Sequence, residues 1–303
     1  MTAPSLLATA DLHVNRDDNE ALVRDLRPRH ADDWLIVAGD VADKVGDVAW
    51  ALELLAARFA RVIWVPGNHE LWTPPGDEVT LVGPARYDRL VEIARGLGVL
   101  TPEDPWPVWE HGGEPVLVCP LFLLYDYSVR PPSIPADLDT AAALGVAREA
   151  GVVATDEFLM RCDPHPDAAA WCADRVATTR ARLDAKPPGM PTVLINHWPL
   201  TPEPTRILRH PEFALWCGTS QSADWHRRYD AACVVYGHLH IPRTTVEDGV
   251  RFEECSVGYP REWRAHGLVR GPLRTVLPAP TDPGPDPFTR WALERRAAWA
   301  RSS

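Results

Sequence analysis

Apolar residues follow two patterns along this chain. Short continuous runs, "SLLATA", "DWLIVAG" and "RVIWVPG", have the length and β-branched content of strands buried on both faces. Between them lie "DNEALVRDL" and "VGDVAWALELLAARFA". In the second, apolar positions recur at helical spacing from Val48 to Phe59, which predicts a helix with one apolar face. The order strand, helix, strand, helix, strand predicts a largely parallel α/β sheet. Five later runs, "PVLVCP", "PTVLIN", "AACVVYG", "RTTVE" and "VRFEECSVG", add strands. In "VEDGVRF", Asp248 and Gly249 sit between β-rich arms and predict a hairpin turn.

Residues 121–190 are less regular. The prolines of "SVRPPSIPADLD" mark a loop, whereas "DAAAWCADRVATTRARLDA" predicts a helix stopped by "KPPG". We read this stretch as an insertion covering one end of the sheet, inside a domain that runs from residue 1 to 270. Residues 271–303 read as a proline-rich linker, "LPAPTDPGPDP", followed by a short basic amphipathic helix, "RWALERRAAWARSS".

Composition changes this picture in three respects. With 46% hydrophobic residues among 303, the chain can bury a sizeable core. A formal net charge of −11 argues against nucleic acid or an anionic membrane as partner, so any phosphate must be held by a local positive site. The six cysteines contain no Cys-x-x-Cys pair and are expected to be buried, reduced thiols. The N-terminus lacks a basic signal-peptide region, and no window has the apolar length of a membrane span, so the expectation is a cytoplasmic protein. Thirteen tryptophans, Trp198, Trp216 and Trp225 among them, are expected mainly in the core and its rim.

The residues just past each strand carry the chemistry. The first strand ends in "ADLHVN" with Asp11 and His13, the second in "AGDVAD" with Asp40 and Asp43, and the third in "PGNHEL" with Asn68 and His69. "TVLIN" runs into His197, and "AACVVY" into "GHLH" with His238 and His240. Any one fragment is adequately explained as a helix cap or a turn. All five together are not, because ligands of an open α/β sheet bind beyond the carboxyl ends of its strands. The expectation is therefore one site at one edge of one sheet. Its carboxylate, amide and imidazole donors, with no thiolate, suit manganese, iron or zinc. That many donors are too many for one ion and fit two ions sharing a carboxylate. Such pairs sit about 3.5–4 Å apart and clamp a phosphoryl group.

The ordered set "DLH", "GDVAD", "GNHE", "NHWPL" and "GHLH" resembles the five motifs of the calcineurin-like metallophosphoesterases over roughly residues 6 to 260. That resemblance implies an α/β fold: a two-layered β-sandwich flanked by helices, here with an inserted cap-like segment. It implies that Asp11, His13, Asp40 and His240 hold one metal and that Asp40, Asn68, His197 and His238 hold the other, Asp40 bridging. It also implies that His69 contacts the phosphate and assists the leaving group, that Asp43 orients His69, and that Glu70 is a looser, structural case. Two divalent ions are implied, Mn2+ and/or Fe2+, with Zn2+ also compatible.

Further segments, among them "PLFLLYDYS", "TDEFL", "PEFALWCGT", "ADWHRRYDA" and "GVRFEECSVGYPREWR", are similar to the actinobacterial phosphopantetheinyl hydrolases. Those enzymes remove 4′-phosphopantetheine from holo acyl and peptidyl carrier proteins. The expected substrate-binding residues are Tyr125 and Asp126, at the mouth of the insertion, and Arg206 and Arg209, a basic group for an acidic carrier. Arg227 and Arg228 form a second basic group. A small-molecule or nucleotide phosphodiesterase of the same family, and a non-catalytic scaffold, stand as alternatives.

Overall fold

The structure, a computed structural model, describes residues 3–266 and 271–280. Ten strands form two sheets: β1 (Leu6–Thr9), β2 (Trp34–Ala38), β3 (Arg61–Val65), β4 (Val108–Trp109), β5 (Val116–Pro120), β6 (Thr192–Ile195), β7 (Ala231–Tyr236), β8 (Thr244–Glu247), β9 (Val250–Glu254) and β10 (Arg274–Leu277). The first sheet has the order β10-β1-β2-β3 and the second β4-β5-β6-β7-β9-β8. Within them β1, β2 and β3 run parallel, as do β5, β6, β7 and β9. Each predicted strand and the predicted hairpin are present. At the hairpin turn Asp248 and Gly249 take φ of 50° and 80°, as a type I′ turn requires.

The single sheet edge expected from the strand order is corrected here. The five motif strands divide between two sheets, β1, β2 and β3 in one and β6 and β7 in the other. The reason is legible in the alternation along each strand. Leu6 and Ala8 of the first strand and Ala10 just past it, Ile36 and Ala38 of the second, and Ile63 and Val65 of the third pack against Val118, Val193, Ile195, Cys233 and Val235 of the second sheet. The alternate residues Leu7, Leu35, Val37, Val62 and Trp64 belong to a separate layer with the helices. Full burial of each Leu, Ile or Val among them contributes about 1.5–3 kcal/mol. A strand apolar on both faces can therefore be sandwiched as well as flanked.

Helices α1 (Asp17–Asp25), α2 (Val45–Ala56), α3 (Asn68–Leu71), α4 (Gly83–Gly96), α5 (Thr140–Glu149), α6 (Asp156–Leu159), α7 (Ala168–Asp184), α8 (Trp225–Arg228) and α9 (Pro260–His266), with short 3-10 helices at Glu203–Ile207, Pro211–Trp216 and Ser220–Ser222, make up the rest of the regular structure among the described residues. Of residues 121–190, α7 is the crossover helix that makes β5 and β6 parallel. Its first turn is capped by Asp167, whose carboxylate accepts the Ala170 N–H. The segment from Val153 to Asp156 instead reaches the cleft at the strand ends. Residues 274–277, beyond the expected domain end at 270, form β10 and pair antiparallel with β1, with Leu277 opposite Leu6. "RTVL" is a strand-forming run that its proline-rich surroundings obscured. The expected C-terminal helix lies outside the described residues. No helix among the described residues is long and apolar enough to cross a membrane.

Candidate metal centre

The carboxyl ends of the parallel strands in both sheets open on a common cleft of about 280 Å³. The chain turns sharply as it leaves β1, β2 and β7. Asp11, His13, Asp40, His238 and His240 all take left-handed backbone conformations, with φ between 41° and 70°. Each such non-glycine residue costs on the order of 1 kcal/mol or more, a strain that clusters at functional sites. The turns leave no room for larger neighbours. A Cβ on Gly67 would collide with an Asp40 carboxylate oxygen, and one on Gly237 with a carboxylate oxygen of Asp11.

These turns bring the strand-end residues together in two overlapping groups. Donor atoms of Asp11, His13, Asp40 and His240 lie within 4.8 Å of one another, and so do those of Asp40, His197 and His238. Asp40 belongs to both. Asn68 joins the second group, its Oδ1 3.2 Å from His197 Nε2 and 3.2 Å from His238 Nδ1. In the first group His240 Nε2 is 3.0 Å from Asp11 Oδ1 and 3.2 Å from His13 Nε2. These separations match neighbouring ligands around one ion, about 3 Å apart for bonds of about 2.1 Å in octahedral geometry.

Three further features suit a cation. His197 Nδ1–H donates to the Ala38 carbonyl at 2.9 Å, which leaves Nε2 facing Asp40 and Asn68. His240 Nδ1–H donates to Glu262 at 2.7 Å in the same way. His13 and His238 turn Nε2 and Nδ1, respectively, to the donor groups, and their opposite ring nitrogens are buried without a hydrogen-bond partner among the described residues. Burial drives the His238 imidazole down to about 3 and lowers His13 as well, so both stay neutral and able to ligate. Burial raises Asp11, but His240 beside it outweighs that and holds the carboxyl at about 2. Burial alone would lower His197; the Asp40 carboxylate instead raises it to about 9, a sign of how strongly the pocket favours positive charge.

His69 stands apart from both groups' common donors. Its Nδ1–H donates to Asp43 Oδ1 at 2.7 Å, and Asn15 holds the other Asp43 oxygen at 2.9 Å. Its Nε2 is 3.7 Å from Asp40 Oδ2, facing the centre. Burial lowers the imidazole pKa, but Asp40 and Asp43 together raise it above the ordinary histidine value. With Nδ1 engaged by Asp43, Nε2 is the ring atom turned to the centre. Glu70 is a clamp: its carboxylate accepts the backbone N–H groups of Asp40, Val41 and Gly67, at 3.0, 2.7 and 2.8 Å, and ties the turn after β2 to the turn after β3.

The substrate-binding expectations fare differently. Tyr125 is 1% exposed, packed edge-on against Tyr127 and Trp198, because the apolar run before it carries it into the core. Asp126 accepts from Thr219, Gln221 and Ser128 and fastens one loop to another. Neither lines the cleft, and both expectations are corrected. Arg206 and Arg209 also lie outside its wall, on the surface segment leading to Phe213, which does line it. Trp198, Trp216 and Trp225 are core residues.

Sequence reasoning missed Ser256, Tyr259 and Glu262. The Ser256 hydroxyl donates to Asp11 at 2.7 Å, and the Tyr259 ring stacks on His13 with centroids 4.4 Å apart. All three come after β9, itself parallel to β7, so the strand-end rule applied to "EECSVGYPRE" would have found them. Trp72, with its ring centroid 3.6 Å from that of His69, and Asp156 were missed as well.

Two sheets whose parallel strands deliver overlapping oxygen and nitrogen donor groups, with a histidine poised beside them, define a metal-dependent phosphoester hydrolase. The chain belongs to the calcineurin-like phosphoesterase family, which residues 4–242 match. Over 277 residues it is 54% identical to the [acyl-carrier-protein] phosphodiesterase PptH of Mycobacterium tuberculosis, covering 91% of this chain and 84% of that one. The crystal structure of phosphopantetheinyl hydrolase (PptH) from Mycobacterium tuberculosis superposes with a TM-score of 0.90 at 54% identity, covering 92% of this chain and 98% of the other.

Proposed function

We propose that this protein removes 4′-phosphopantetheine from holo acyl or peptidyl carrier proteins by hydrolysing the phosphodiester at the carrier serine. One observation carries the catalytic part: Asp40 lies in both donor groups, directly beside a histidine held by its own carboxylate. The similarity to a carrier-protein phosphodiesterase supports the substrate.

Asp11, His13, Asp40 and His240 would hold one ion, and Asp40, Asn68, His197 and His238 the other. None of the six cysteines belongs to either group, which favours Mn2+ or Fe2+, with Zn2+ also compatible. When bound, the two ions supply Lewis acidity toward the phosphoryl oxygens and a nucleophile drawn from water. The chain supplies the rest. Asp40 keeps the two halves of the site in register. His69 holds its proton on Nε2 and gives it to the departing serine oxygen, while Asp43 fixes the ring so that only Nε2 faces the substrate. The wall formed by Val153, Ala154, Phe213 and Leu239 offers an apolar lining for a pantetheine arm and limits water around the phosphate.

Arg206 and Arg209 remain our docking candidates for an acidic carrier, with Arg227 and Arg228. Six free cysteines accord with a reducing, cytoplasmic setting. The test is the intact mass of a holo-carrier after incubation with this protein and Mn2+. Conversion to the apo form is expected. An unchanged carrier alongside cleaved nucleotide diesters would leave a small-molecule phosphodiesterase in its place.

A further inference from the structure

Asp156 lies outside the five strand-end motifs, on α6, 88 residues from Asn68 along the chain. It is 3% exposed. Its Oδ1 accepts the Asn68 Nδ2–H at 2.9 Å and the Trp72 indole N–H at 2.8 Å. The backbone around it is stitched to the same region, since Thr73 N–H donates to the Leu159 carbonyl at 3.0 Å and Trp72 pairs with Met160.

A side-chain amide has an oxygen on one edge and an NH2 on the other, and only the oxygen can face a cation. The two edges are nearly identical in shape, so packing alone does not choose between them. In Asn68 the oxygen faces His197 and His238, and the NH2 faces Asp156. A carboxylate accepts and does not donate, so reversing the amide would set two acceptors against each other on one edge. On the other edge, it would turn an NH2 toward the ion. The same Asp156 oxygen also holds Trp72, whose ring lies against that of His69.

We propose that Asp156 is a positioning residue that locks the Asn68 amide with its oxygen toward the metal shared with His197 and His238, and steadies Trp72 behind His69. This rests on the binuclear reading of the site and names a residue through which the cleft wall acts on the metal centre. Ala154 and Thr155, its neighbours in sequence, line the cleft, so the segment that borders the substrate also fixes a ligand.

The test needs no substrate. Metal-free protein is titrated with Mn2+ and free ion is read by electron paramagnetic resonance. Wild type is expected to bind two equivalents. In Asp156→Ala one equivalent should weaken by about 10–100-fold, the usual cost of losing a group that orients a ligand, while the other is unchanged. Asp156→Asn keeps an oxygen acceptor and should stay near wild type. A carboxylate at position 68 has oxygens on both edges and needs no lock, so the double variant Asn68→Asp/Asp156→Asn should also bind two equivalents. Two unweakened equivalents in Asp156→Ala, or an Asp156→Asn variant as weak as Asp156→Ala, would overturn the lock. If Asp156→Ala does not fold, loss of the second equivalent in the double variant would overturn it. Wild type taking up fewer than two equivalents would sink the binuclear reading itself, a separate outcome.

Discussion

At the scale of single residues, Asp40 and His69 are set for different work, although 29 positions separate them and a hydrogen bond joins Asp40 to the His69 backbone. Asp40 is 2% exposed and common to both donor groups, so Asp40→Asn should lose metal at both positions. Elemental analysis of the purified variant checks this, and two retained equivalents would contradict the bridging role. His69 faces the centre without belonging to either of those groups, so His69→Ala should keep both metals. Its turnover should fall by roughly 10²–10⁴-fold, the range for loss of a general acid. The fall should be smaller for a nitrophenolate leaving group than for an alkoxide. An equal fall on both would rule out proton donation. Nearly all of the donor set was legible in the sequence, because each donor sits at a strand end where glycine, aspartate and histidine interrupt an apolar run. Tyr125 was misread for a related reason. An aromatic residue after an apolar run looks like a pocket wall, and the sequence does not reveal that the run continues into the core.

At the scale of elements, the alternation along β1, β2 and β3 gave the strands but not their partition into two sheets. A strand apolar on both faces reads the same whether helices or a second sheet cover it. Long-range polar contacts were also illegible. Glu103 illustrates this: it accepts from Tyr87 on α4 at 2.8 Å and from Arg175 on α7 at 2.6 Å, joining helices far apart in sequence. Burial pushes its carboxyl up, but Arg175 outweighs that, and its pKa lies below the ordinary glutamate value. A depressed pKa in the folded state means that the contribution is fully present above the unfolded value and is lost as pH falls through the folded one. Glu103→Gln should therefore cost about 1 kcal/mol at pH 7, and the difference should disappear when the pH is taken well below the ordinary glutamate value. Urea denaturation of metal-free protein at the two pH values measures it. A difference that persists in acid would point to packing instead of charge.

For the molecule as a whole, the proposed function sets an acidic protein against an acidic carrier. The formal charge of −11 opposes approach, so on that proposal local cations would guide docking while the metal centre takes the phosphate. Reversing the charge of Arg206 and Arg209 together should lower turnover of a holo-carrier about 10-fold or more, with weaker salt dependence, and spare a small chromogenic diester. Equal loss on both substrates would remove these arginines from docking. Free coenzyme A, which offers no carrier surface, should be a poor substrate.

The most direct measurement combines the reaction with its bond of cleavage. Holo-carrier is incubated with the Mn2+-loaded protein in 18O-labelled water, and both products are weighed by mass spectrometry. Attack at phosphorus gives released phosphopantetheine with one labelled phosphate oxygen and an unlabelled apo-carrier serine; His69→Ala should give the same products more slowly. Label in the carrier, or a holo-carrier whose mass does not change, would contradict a phosphodiester hydrolase acting on carrier proteins.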